Sequence, residues 1–502
     1  MAGMTAFREA YINPTVSTLD QFDSWEGRQL RYALMESYFN NSAYRNVHTF
    51  ASKLKADFGL YKYTRPIYNP AYALFTFWQT HLWGGRLDVK NAEVGALPIV
   101  TDNAALRPAI IKLWLESNWQ VNKDIFTLSG AMCGDCFARI VDSPSKGRVY
   151  IEILKPSVIA DIETDNVGNV RGYTLIEQRY HPEDNNRVVE YKEIARRDGV
   201  NVVYSTFLNN APFDWSGEDG NGAEWAVPYG FVPMVFHKHN DVGQAWGYSE
   251  AQPALAMFRE IDDIASKISD QIRKTVDPKL AVLNVEKPAA TPTVTGRAAD
   301  NTVTEPGRDE LTMIYLNGNN GNADIKPVLG NLNIADALTH LDKLSQKLER
   351  DYPELRLQRL LNGNGERSSE VSGEALRRAQ QPAANKVIMR RANYDNALVR
   401  LQQMGVAIGG WRGYAGYEGF GLDSYASGAL NHSIGERPVF DKSAMDDLAE
   451  EKALWEAAEQ AGKAGVSIEV FLERRGWSDD DIAKVKAAQL EKPAPVAVES
   501  AQ

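Results

Sequence analysis

Residues Ser249 to Met404 constrain this chain more than any other stretch, because three long helical patterns there are separated by a β-rich insertion and a polar glycine loop. The first pattern sets Leu255, Phe258, Ile261, Ile264, Ala265, Ile268 and Ile272 on one stripe at the 3.6-residue period. Between them stand Arg259, Glu260, Asp262, Asp263, Lys267, Asp270, Arg273 and Lys274, so the remaining surface is expected to be charged with both signs. Asp277-Pro278 stops the helix, since proline has no N–H to continue it. A second stripe, Ile334, Leu338, Leu341, Leu344 and Leu348, closes at Pro353. At ~1.5 Å per residue, two helices of about 23 and 17 residues reach roughly 35 and 25 Å. Each has a narrow apolar seam, expected at Ile261, Ile268, Ile272, Leu338, Leu341 and Leu348. Such a hairpin suits a coiled-coil-like arm inside a monomer, and it equally suits one repeated around a ring with its mixed charges meeting neighbouring copies. Periodicity does not choose.

A loop containing Asn362-Gly363-Asn364-Gly365 precedes the third pattern, which runs from about Val371 to Met404 through Ala375, Leu376, Ala379, Ala383, Val387, Ala392, Leu398 and Leu401. Pro382 falls in its middle, where it removes a hydrogen bond. Either one helix kinks there, or two shorter helices break at Gln381.

Composition narrows the class. A chain of 502 residues has material for about three domains and an ample core. Its apolar and charged fractions are those of an ordinary globular protein. No run approaches roughly 18 uninterrupted apolar residues, so no membrane span is expected. Met1-Ala2-Gly3-Met4-Thr5 shows no charged leader before an apolar core, so no secretory signal is expected either. With only Cys133 and Cys136 there is no disulfide scaffold, which fits assembly in cytoplasm. The formal net charge of −11 argues against a protein that grips duplex DNA through its phosphates. DNA, if a partner, is passed through rather than held.

The part before the hairpin reads as α/β. Residues 24 to 57 are helical in pattern and rich in aromatics (Trp25, Tyr32, Tyr38, Phe39, Tyr44, Phe50), followed by helices near Ala71 to Leu82, Ala104 to Trp119 and Val121 to Ser129. Without a basic cluster beside them, these aromatics are expected in the core and in subunit contacts rather than on bases. From Met132 the period becomes two. Phe137 to Val141, Arg148 to Ile153, Val170 to Arg179, Arg187 to Ile194 and Asn201 to Phe207 form a strand meander.

Chemical motifs are sparse. Cys133-Gly134-Asp135-Cys136 has redox or half-zinc spacing, but no second cysteine pair accompanies it, so a structural role is expected. His237-Lys238-His239 puts two imidazoles on one strand face without a nearby third ligand. Neither glycine-rich loop is followed by Lys-Ser/Thr, and no Gly-x-Ser-x-Gly or His-Glu-x-x-His occurs. No catalytic, cofactor-binding or metal residue is assigned. A packaging nuclease or ATPase would need a P-loop or a carboxylate cluster.

The ordered combination of Lys155-Pro156 before Asp161-Ile162, Val232-Pro233-Met234-Val235, Gly247-Tyr248-Ser249 and Ser372-Gly373-Glu374-Ala375-Leu376 resembles the portal proteins of tailed bacteriophages, in particular those of siphophages. The resemblance implies an α+β portal-type subunit with an N-terminal α/β wing (1–245), a first stem helix (246–276) and a clip (277–332). A second stem helix (333–350), a tunnel loop (351–370), a kinked crown-ward helix (371–408) turning at Pro382, a helical crown (409–490) and a disordered tail (491–502) would follow. It further implies a homo-oligomeric ring, a dodecamer, at one capsid vertex of the virion, assembled in the host cytoplasm. Double-stranded DNA would be packaged and ejected through that ring. Implied partners are the major capsid protein, the scaffolding protein, the terminase large subunit and the head-tail adaptor, with no membrane and no cofactor. Arg356, Arg359, Asn362, Asn364 and Arg367 would face DNA in the channel, with Glu354 and Glu366 tempering the arginines, or these charges would instead pair with neighbouring subunits. The rival is another ring-forming head-tail connector or structural head protein without a DNA-gating loop.

Overall fold

The computed structural model describes residues 24–43, 68–84, 97–182, 184–215, 220–276, 280–283, 313–316, 324–327, 334–355, 373–440 and 444–473, with 482 and 485. The fold is mixed helix and sheet, α+β. Helix α1 (Trp25–Phe39) starts on Ser24, whose hydroxyl accepts from the Gly27 N–H at 3.1 Å. Helix α2 (Pro70–His81) starts on Asn69 with a proline in its first turn, where a missing N–H costs nothing. Strand β1 (Ile99–Val100) precedes α3 (Leu106–Glu116) and α4 (Trp119–Cys133), which meet at Asn118 in left-handed conformation, φ 46°. Helix α4 ends on Gly134 at φ 90°, a residue without a Cβ to strain, and the chain turns at once into β2 (Asp135–Ser143).

Strands β3 (Arg148–Leu154), β4 (Ile159–Thr164), β5 (Val170–His181), β6 (Asp184–Asp198), β7 (Asn201–Leu208), β8 (Ala211–Pro212), β9 (Glu224–Val227) and β10 (Met234–Lys238) complete this part. They form two antiparallel sheets. One is β10-β2-β3; the other is the meander β4-β5-β6-β7-β8, with β9 also on β7. The first sheet packs with α4 and is buried on both faces, with the cross-strand pair Ile140 and Ile151 on one and Phe137 and Met234 on the other. Tyr32, Tyr38, Phe75, Trp78, Trp83, Trp119 and Phe126 are buried as well, so these aromatics are core.

The hairpin follows. Helix α5 (Leu255–Val276) leads to β11 (Leu280–Leu283), β12 (Met313–Leu316) and β13 (Asp324–Pro327), and α6 (Ile334–Asp351) returns. Strand β11 is central, parallel to β12 and antiparallel to β13. Ala265, Ile268 and Leu341 form the helix–helix core, with Ile264, Ile334 and Ala337 against it. Of the expected seam, Ile261, Ile268, Leu341 and Leu348 are buried, whereas Ile272 and Leu338 are 46% and 47% exposed. The seam is therefore shorter in one chain than the stripe suggests. Asp262 and Asp263 depart from the expected solvated face: both are buried. The Tyr68 N–H donates to Asp262 at 3.1 Å, and Lys267 pairs with Asp263 at 2.5 Å, each carboxylate thereby keeping a donor.

Helix α7 (Gly373–Trp411) is one element of 39 residues that runs through Pro382. There is no break at Gln381. It also continues through Gly409 and Gly410, residues that weaken a helix intrinsically. A Cβ on Gly409 would stand 2.8 Å from the Tyr417 ring, and one on Gly410 would stand 2.2 Å from the Phe420 carbonyl oxygen. These glycines let neighbouring chain pack close rather than ending the helix. Helix α8 (Leu422–Ser427) and β14 (Ser433–Ile434), paired with β1, follow. This unit extends to Val439, so residues 409–439 fall in the same compact unit as the N-terminal α/β part. The second unit, from Phe440, contains α9 (Ala444–Lys463) and α10 (Ile468–Glu473), with Ala458 and Leu472 buried.

Candidate functional site

The site of interest is the junction where the hairpin leaves and rejoins the main unit. Its foundation is a backbone contact between two sequence motifs. Gly134 and Gly247 are so close that a Cβ on Gly247 would stand 2.1 Å from the Gly134 carbonyl oxygen. Asp135 sits beside them, fully buried, and accepts from Gly247 N at 2.7 Å and from the Tyr32 hydroxyl at 2.6 Å. Burial pushes its carboxyl up, and Arg31, 3.5 Å away, opposes that. The next residues are fixed by the end of α4: the Ser249 hydroxyl and the Glu250 N–H both donate to Ala131 O, at 3.1 and 2.9 Å. Arg28 lies 3.3 Å over the Trp246 ring and donates to Ile159 O and Ala160 O. The approach to α5 is thus held from several elements at once.

Glu250, so placed, is 4% exposed and surrounded by donors. Lys386 reaches Oε1 from α7, one turn beyond Pro382. Asn240 donates to Oε2 at 3.0 Å, His239 Nε2 lies 3.2 Å from the same oxygen, and Arg390 is 3.7 Å away. Burial alone would raise this carboxyl, but His239 and Lys386 outweigh it and hold Glu250 well below the usual carboxylate range. The Lys386 ammonium also meets Glu354 Oε1 at 2.6 Å. Glu354 follows the last turn of α6 and is 1% exposed. Burial raises its carboxyl, with Lys386 opposing. One ammonium therefore bridges the segment entering α5 and the segment leaving α6.

Glu354 is consequently a buried partner of Lys386. Arg356 and Arg359, with Asn362, Asn364 and Arg367, lie outside the described residues.

His239 continues the network inward. Its Nδ1 lies 2.8 Å from the Tyr394 hydroxyl, which lies 3.3 Å from Cys136 Sγ. Burial lowers the His239 pKa, so the ring is neutral near pH 7. Nε2–H donating to Glu250 and Tyr394 O–H donating to Nδ1 satisfies both ring nitrogens. His237, from the same strand face, sets its ring 4.3 Å from that of Tyr394, and burial lowers its pKa to about 3. The two imidazoles of the His-Lys-His run thus share a tyrosine.

A cysteine, tyrosine, histidine and glutamate in sequence invite a catalytic interpretation. Cys136, Tyr394 and His239 are each 0% exposed, which leaves a reacting molecule no access. Cys133, the last residue of α4, is buried too, and burial pushes both thiols up, away from the nucleophilic thiolate. The chain of contacts fixes α7 against the wing. No group of three potential metal ligands occurs among the described residues.

Helix α7 has a second anchor at Arg391. Its guanidinium donates to the carbonyls of His81, Leu82, Arg437 and Pro438. The sequence gives little warning of either anchor, since Lys386 and Arg391 look like ordinary charges on a helix. The available signal is that Arg391 and Tyr394 fall in phase with buried Val387 and Leu398, whereas Lys386 lies about a quarter-turn or more from that stripe.

No protein-family model matches the chain, and no curated protein matches it.

Proposed function

We propose that this chain is a portal subunit of a tailed bacteriophage, forming the ring at one capsid vertex through which double-stranded DNA is packaged and ejected. The observation that carries this reading is the order of elements at the junction. A two-helix hairpin bearing a small sheet leaves an α/β unit, returns, and is followed by a long helix containing Pro382. The half-exposed Ile272 and Leu338 support ring assembly, because a neighbouring hairpin would cover them. The long polar loop between α6 and α7 would face DNA, and Asn and Gly there offer weak, exchangeable contacts. Tight phosphate contacts multiplied around a ring would stall translocation. Motor, adaptor, capsid and scaffolding proteins are the partners this role requires, and the place of action is the virion.

Negative-stain images of purified protein are expected to show closed rings with a central hole. A monomer in native mass spectrometry at micromolar concentration overturns the reading. Deleting Asn362 to Gly365 is expected to leave rings intact while reducing DNA packaging or retention. Normal yields of filled particles would give the chain another head-tail connector role.

A further inference from the structure

A cleft of about 550 Å³ opens between the meander's turns, the C-terminal half of α7 and α8. That volume suits a small ligand or a few residues of peptide. Its floor is apolar, with Met234, Val235 and Met404 all buried. Methionine side chains adapt to differently shaped apolar groups. Around the mouth stand Arg171 at the start of β5, Arg197 near the end of β6 and Arg400 on α7. Among the described residues, none of the three forms an ion pair. Arg197 donates to Gly199 O at 3.1 Å and Arg400 to Val167 O at 3.4 Å, so both bond only backbone. The Tyr425 hydroxyl belongs to the same cleft, where burial raises its pKa and Arg400 and Arg197 oppose that.

Three guanidiniums in no ion pair among the described residues, with Arg171 exerting an electrostatic pull on Asp165, form a local cationic rim over an apolar floor in a chain of net charge −11. Planar guanidinium forks match carboxylates bidentately. We propose that this cleft binds a short acidic segment of a partner protein, seating one apolar side chain on Met234 and Met404 and its carboxylates on Arg171, Arg197 and Arg400. A nucleic-acid strand fits less well. The cleft's aromatic rings are already engaged: Phe231 packs on Tyr425 at 4.4 Å, and Tyr229 meets Trp411 edge-on at 5.6 Å. Neither pair leaves an open stacking platform. Asp165 and Asp423 also flank the mouth, and a continuous phosphate backbone would pass them, whereas separated carboxylates can avoid them. The Asp165 carboxylate is turned toward its own loop, accepting from the N–H groups of Val167 and Asn169. The cleft lies within one chain, so its binding does not depend on ring assembly.

The test selects a displayed library of random short peptides on the full chain. Enriched peptides are then measured by fluorescence polarisation against wild type, Arg171→Gln, and the Arg171→Gln/Arg197→Gln/Arg400→Gln variant. Circular dichroism melts of each variant check folding; Arg171 and Arg197 are exposed, so both are expected to match wild type. Expected are sequences with Asp or Glu flanking an apolar residue, bound about tenfold or more weakly by the triple variant and measurably more weakly by Arg171→Gln. Basic or patternless enrichment overturns the proposal, as does equal binding to the folded Arg171→Gln protein. A single-stranded oligonucleotide of matched charge that binds more tightly than the peptides, with the same arginine dependence, also overturns it and assigns the cleft to nucleic acid.

Discussion

Gly134 O and the Cα of Gly247 face each other with no room for a methyl group between them, at the point where the end of α4 touches the segment leading into the hairpin. Gly134 has the added restriction of φ 90°. Gly247→Ala is expected to destabilise the fold by about 3 kcal/mol, the upper range for overpacking a close contact. A denaturant midpoint within error of wild type would show that the two strands of chain can part freely there.

Lys386→Met leaves Glu250 and Glu354 without their shared cation. Removing one partner of a buried pair costs about 3–5 kcal/mol, so a large fall in stability at neutral pH is expected. The pH dependence has a definite sign. Without the ammonium the buried Glu354 carboxyl binds its proton more tightly folded than unfolded, so its protonation favours the folded form, while Glu250 loses one of the groups that hold it low. The Glu354 contribution is present at low pH and is lost as pH rises through its raised folded pKa. The variant's deficit against wild type should therefore shrink from about pH 7.5 to about pH 5. A deficit that grows on acidification would contradict the bridge.

His237 gives the opposite trend. Its folded pKa of about 3 lies below the ordinary histidine value of 6.5, so its neutral ring contributes stability above pH 6.5 that is lost as pH falls toward 3. His237→Phe keeps a ring against Tyr394 and removes the titration. Its melting midpoint is expected to fall less than wild type between pH 6.5 and about pH 4. Parallel curves would mean that His237 is solvated as readily in the fold as in the unfolded chain.

Two positions of the hairpin stripe, one buried and one half-exposed, would separate chain stability from the proposed assembly. Ile268 is 6% exposed and Leu338 47% exposed. Ile268→Asp buries an unpaired charge and is expected to cost several kcal/mol, about 3 or more. Leu338→Asp is expected to leave the melting of the isolated chain within about 0.5 kcal/mol while preventing rings. Intact rings from a folded Leu338→Asp protein would show that this face is not between subunits.

Periodic elements were readable in the sequence because apolar spacing encodes the face a helix or strand must bury. Helices α5, α6 and α7 and the meander declare themselves in that way. Two kinds of residue did not. Asp262, Glu250, Glu354 and Lys386 carry charge, and charge in a sequence looks the same whether it meets water or a buried counter-charge. Gly409 and Gly410 suggest a loop because glycine weakens helices, yet Tyr417 and Phe420 come close enough to require it. In both cases the deciding partner is distant in sequence. The DNA-facing residues expected between Arg356 and Arg367 fall outside the described chain, so the hairpin's base rather than that loop defines the site.

The Lys386 bridge also bears on how such a chain can change over generations. Because one ammonium holds Glu250 and Glu354 together, everything between them is an excursion whose two feet are fixed at a single point. Lengthening it adds only slowly to the entropy of closing a loop. Helix turns and sheet residues can be inserted or lost within the excursion while the wing and α7 keep their packing. The excursion can thus be exchanged as a cassette, provided the two carboxylates at its feet still land on the same lysine.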